Sequence, residues 1–170
     1  SLQLLVKLDG QGNVQTHAVV SRGGDMSLSS LIKVPGGLVG VGKTSAVENV
    51  GGNSLGSGEF ISKFDDSGKV VFAKNSSAGS SIALLPGGEL VAIGSMVEKF
   101  SAEGSSLWRY PREGFGVSTD LEGSIYVCGE FEGTSVFSPH IKKSRGNMDA
   151  YVAKFGSFVP NAAPSGINLS

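Results

Sequence analysis

Self-similarity constrains this chain more than any other feature. The stretches LLVKLDGQGNV (4–14), FISKFDDSGKV (60–70), MVEKFSAEGSS (96–106) and YVAKFGS (151–157) share one pattern. Each sets two apolar-leaning residues and a variable one before a Lys, then Leu or Phe. The first three run on into a turn closed by Gly12, Gly68 or Gly104. A second pattern alternates with the first: SSLIKVPGGLVGVG (29–42), SSIALLPGGELVAIG (80–94) and FGVSTDLEGSIYVCG (115–129). Each reads as strand, tight Gly turn, strand, terminal Gly. The overlay aligns Gly37, Gly88 and Gly123 in the turn, and Gly42, Gly94 and Gly129 at the strand end.

One unit of the alternation therefore holds four short antiparallel strands, the content of one β-propeller blade. The 26 glycines fall between short β-branched runs rather than in one linker, and no stretch keeps a 3.6-residue period. The expectation is an all-β chain with nearly no helix: a β-propeller segment of about three four-stranded antiparallel blades plus a partial blade. Propellers close with about four to eight blades. The missing ones are expected from the rest of a longer protein or from other copies of this one.

The overlay also judges GLVGVGKT (37–44), which fits the phosphate-loop pattern with Gly37, Gly42, Lys43 and Thr44. Such a loop needs a helix whose first amides face the anion. Here a glycine-rich stretch follows, and the glycines belong to the repeat. No nucleotide or other cofactor is implied.

The stretch GEFEGTSVFSPHIKKSRGNMDAYVAKF (129–155) resembles the bacterial SBBP β-propeller repeat. The resemblance rests on Gly129, Phe131, Gly133, Thr134, Phe137, Ser144, Gly146 and the run from Asp149 to Phe155, and extends more loosely back to Leu4. It departs in the shortened unit AIGSMVEKF and at Glu59, where the repeat has Asp. Related propellers imply that the SSLIKV-type strand lies nearest the axis, followed by the LVGVG, KF and VVFAK types. The tail PNAAPSGINLS (160–170) resembles the opening of cadherin-like domains. Residues 1–157 are thus expected to be propeller repeats, and 158–170 a linker or the start of a following domain. The resemblance implies a non-enzymatic structural, adhesion or protein-interaction module of a large secreted or cell-surface protein.

Other signals bear on partners. A net charge of −1 argues against nucleic acid, and no apolar run approaches the roughly 20 residues that span a bilayer. Cys128, the one cysteine, sits in SIYVCG and reads as a buried, inert thiol. His17 and His140 are the only histidines, and no spacing suggests a metal site. DGQGN and DDSGK resemble half a calcium loop, but Asp and Gly are wanted in such turns for backbone reasons. Ser54 in GNSLG fits G-x-S-x-G yet falls in a flexible loop rather than a strand-to-helix elbow. Trp108 and Tyr110 alternate in SLWRYP and are expected to pack between blades.

Two equivalent insertions, 43–58 and 130–149, are expected to project as loops. The second carries His140, Lys142, Lys143 and Arg145, either a solvated surface or a patch for an acidic glycan or a carboxylate-bearing protein. Phe131 and Phe137 are its candidate sugar-stacking aromatics. An enzyme whose site is shared with absent blades would draw on Ser118 and Asp120. Asn75 and Asn168 stand in glycosylation sequons.

Overall fold

The computed structural model describes residues 3–21, 26–137, 140–155 and 167–169, and within them every regular element is a strand. The chain divides into two compact units, Ser1–Gly79 and Ser80–Ser170.

The first unit contains β1 (Gln3–Leu8), β2 (Val14–Ser21), β3 (Met26–Val34), β4 (Gly37–Thr44), β5 (Glu48–Val50), β6 (Asn53–Leu55), β7 (Gly58–Phe64) and β8 (Val70–Ser76). β1 and β2 form a hairpin, and the order β3-β4-β7-β8 makes a four-stranded antiparallel sheet. β5 and β6 form a small hairpin inserted between β4 and β7. Its Val50 and Leu55 have no exposed surface and join Val20, Met26, Phe60, Phe64 and Ala73 in one core. Alternating side chains send one face of each strand there.

The second unit contains β9 (Ser81–Leu84), β10 (Leu90–Ile93), β11 (Val97–Phe100), β12 (Ser106–Tyr110), β13 (Gly116–Thr119), β14 (Ile125–Phe131), β15 (Thr134–Phe137), β16 (His140–Lys143), β17 (Asp149–Phe155) and β18 (Ile167–Leu169). Two four-stranded sheets, β9-β10-β11-β12 and β13-β14-β17-β18, pack against each other, and β15 and β16 form the inserted hairpin. Thr119 Oγ1 on β13 donates to the Leu84 carbonyl on β9 at 2.7 Å. Trp108 lies 6.4 Å from the Phe155 ring, and Tyr110 meets that ring edge-on at 5.2 Å. Both aromatics thus pack between the sheets. Ile167 pairs with Phe155 in the fourth place of its sheet, while the expected boundary at 157–158 lies outside the described residues.

Register shows how closely the sheets correspond. Val39↔Lys63, Val91↔Lys99 and Tyr126↔Lys154 occupy one ladder position, with Leu38↔Phe64, Leu90↔Phe100 and Ile125↔Phe155 beside them. The same register aligns Gly36, not Gly37, with Gly88 and Gly123, and all three have left-handed φ values of 74°, 86° and 82°. The shift arises because the turn before β10 is one residue longer than the turn before β4.

The turns after β1, β7 and β11 are built alike. Asp9, Asp65 and Ser101 each accept two amides of their own turn through the side chain. The side chain of Asn13 and the hydroxyl of Ser67 are the main causes holding Asp9 and Asp65 below the ordinary carboxylate range. Both carboxylates thus organise their turns.

Candidate functional site

β14 and β17 pair from Ile125↔Phe155 to Phe131↔Asp149, and the chain between them folds back as the β15–β16 hairpin. What ties this hairpin down is aromatic. Phe137 has no exposed surface and packs at 5.4 Å from the Phe131 ring and 5.1 Å from the Tyr151 ring. Arg112, from the segment between β12 and β13, lays its guanidinium over Phe137 at 4.2 Å and Tyr151 at 5.8 Å. It donates through Nη1 to Ser135 Oγ at 2.6 Å and through Nη2 to the Val136 carbonyl. The Tyr151 hydroxyl donates to the Glu113 carbonyl. Burial pushes that phenol up to about 12, the Arg112 charge opposing the shift.

The base of the hairpin is closed by Gly133 and Ser144, which bond in both directions at 2.8–2.9 Å. The Arg145 amide donates to Asp149 Oδ2 at 2.9 Å. Beneath the hairpin opens a recess of about 610 Å³, lined by Phe131, Lys142, Lys143, Arg145, Asp149 and Tyr151 among others. Three cationic residues and one carboxylate thus line it.

The structure therefore brings Lys142, Lys143 and Arg145 to one recess with Phe131, which is half-buried. His140 is exposed at the hairpin but does not line the recess. Phe137 belongs to the core, so its ring offers no face to a sugar. Arg112, Tyr151 and Asp149 were not among the expected site residues. Only Asp149 and Tyr151 carried a signal, as members of the repeat, while Arg112 reads in sequence as a charged turn residue.

The LVGVG run is a strand, as its place in the repeat led one to expect: residues 37–44 form β4, in which Lys43 Nζ lies 3.1 Å from Glu59 and Thr44 Oγ1 donates to the Ala46 carbonyl at 2.8 Å. Other expectations change. Ser54 lies on β6 opposite Asn49, not in a flexible loop. The insertions at 43–58 and 130–149 are largely hairpins. The alternation that turns Ile125 and Val127 inward turns Cys128 outward, so the thiol read as buried is exposed.

Asp120 receives the Ser124 amide at 2.7 Å and the Tyr126 hydroxyl at 3.0 Å, with the Lys154 ammonium 5.1 Å from the Tyr126 ring. Burial alone would raise Asp120; the Ser124 and Tyr126 bonds and the Lys154 charge hold it low. Ser118 is exposed, opposite Tyr126. Asn75 is exposed, and its side-chain amide bonds both backbone groups of Gly56, at 2.9 and 3.0 Å. Asn168 lies in β18.

Among the described residues, no group of three or more His, Cys, Asp or Glu could hold a metal ion. No helix there is long and apolar enough to cross a membrane. No protein-family model matches the chain, and no curated protein matches it.

Proposed function

We propose that the chain is a β-propeller segment of the SBBP kind, a non-enzymatic structural, adhesion or protein-interaction module of a large secreted or cell-surface protein. The observation that carries this reading is the open edge of β1. The β1–β2 pair repeats the register of β7–β8 and β11–β12, including one bulge beside Lys7, Lys63 and Lys99. In the latter two pairs, the other edge of the lysine strand is taken by β4 or β10.

On β1 that edge is free among the described residues, and Leu4, Val6 and Leu8 are 48%, 44% and 53% exposed. Their ladder equivalents Phe60, Ser62 and Phe64 are 0% exposed. A hairpin of the β3–β4 kind laid on β1 would pair its amides and cover these side chains. Full burial of such a side chain contributes about 1.5–3 kcal/mol, and an open edge is a template for a further strand. The remaining blades of the same protein, or those of another copy, supply that hairpin in this reading.

Hydrogen exchange at residues 4–8, combined with native mass and light scattering, tests it. Fast exchange in the isolated chain that slows in the native particle supports the proposal. A monomeric native chain whose β1 amides are as protected as those of β7 overturns it.

A further inference from the structure

We propose that the recess under the β15–β16 hairpin binds a carboxylated glycan, taking one acidic sugar residue of a hydroxyl-rich chain. Every residue involved lies in the second unit, so this inference does not rest on the propeller reading.

Size and stiffness come first. The recess, at about 610 Å³, falls within the roughly 300–1,000 Å³ of small-ligand sites. The hairpin that bounds it is anchored: Arg112 bonds Ser135 and stacks on Phe137 of β15, and the paired Gly133 and Ser144 close the hairpin base. An anchored backbone limits the ordering cost of binding to the side chains that line the recess.

Charge then narrows the ligand. Lys142, Lys143 and Arg145 all line the recess, and among the described residues no carboxylate forms an ion pair with any of them. Three cations in one recess call for an anion. Asp149 stands among them, its Oδ2 occupied by the Arg145 amide, which leaves Oδ1 as an acceptor. A carboxylate in that position repels a dense polyanion such as a polysulfate, yet welcomes a hydroxyl donor. The half-buried Phe131 ring supplies an apolar wall of the kind a pyranose C–H face packs on. One isolated negative charge, several hydroxyls and an apolar ring face together describe a uronate-type sugar. An acidic peptide offers the charge without the hydroxyls.

The test titrates the 170-residue chain with galacturonate oligomers, their methyl esters, heparin and polyglutamate, read by calorimetry and amide shifts. Galacturonate oligomers are expected to bind, with shifts centred on 131–151, and the esters to bind at least tenfold more weakly. Lys142→Gln/Lys143→Gln, both on exposed side chains, is expected to weaken binding by a similar factor at unchanged melting temperature. Asp149→Asn should narrow the preference over heparin several-fold, a shift in selectivity that a purely structural role does not produce. Equal or tighter binding of polyglutamate or heparin by the parent chain overturns the proposal. So does the absence of galacturonate binding, or binding that the double variant leaves intact.

Discussion

Lys99 Nζ lies 2.5 Å from Glu89 Oε2, and the Lys99 side chain has no exposed surface while that of Glu89 is 31% exposed. A charge withdrawn from water persists only with a partner, and deleting one member of a buried pair costs about 3–5 kcal/mol. Because Glu89 is partly wet, Glu89→Gln is expected to cost less, about 2 kcal/mol in urea unfolding. Replacing the ammonium as well, in Glu89→Gln/Lys99→Met, should recover most of the loss, since an apolar stem suits the Val91 environment. A single variant as stable as the parent would mean that Lys99 finds its compensation elsewhere.

Arg112 joins the hairpin to the sheet by two hydrogen bonds and two ring contacts. Arg112→Ala should raise hydrogen exchange across 134–143 while leaving β9 to β12 as before. Loss of charge-assisted bonds of about 1.5–3 kcal/mol sets the scale. Arg112→Lys is expected to rescue little, because an ammonium lacks the planar fork that reaches Ser135 and Val136 while stacking on Phe137.

The all-β class was legible in the sequence because short apolar runs ended at Gly, Asp or Pro, and the turns were legible because Asp9 and Asp65 cap their own amides. The inserted hairpins were not. Polar, glycine-rich stretches such as VENVGGNSLG look flexible, yet Val50 and Leu55 are the two residues that bury them. Strand parity decided other cases: sequence alone did not say which face of β14 would point inward, so Cys128 was misread. The cluster of basic residues was visible, but not the recess. Its shape depends on Arg112 and Tyr151, far away in the chain and joined only by folding.

The Tyr151 phenol should leave a signature at high pH. Its folded value is raised by burial to about 12 from 10.0, so the native state favours the neutral form. The sign follows: this contribution is complete below pH 10 and is lost as pH rises through 12. Absorbance titration should therefore show a tyrosine phase near pH 12, and Tyr151→Phe should remove that phase. The variant should also flatten the loss of stability between pH 10 and 12. A titration without that late phase would contradict the packing described for Tyr151.

Two glycine substitutions separate close approach from chain entropy. A Cβ on Gly42 would stand 1.9 Å from the Ser27 carbonyl oxygen, a backbone atom held in the β3–β4 ladder. Neither strand can retreat without breaking pairs, so Gly42→Ala is expected to cost about 3 kcal/mol or more, the scale of severe overpacking. Gly87, in the turn before β10, meets only the Glu89 carboxylate, at an ordinary contact distance of 4.0 Å, and has no left-handed backbone requirement. Gly87→Ala should leave the fold intact and stabilise it by about 0.4–1 kcal/mol, because alanine restricts the unfolded chain. Denaturation midpoints of the two variants check the contrast directly. Equal effects would mean that β3 and β4 do not approach as closely at Gly42 as the Ser27 carbonyl requires.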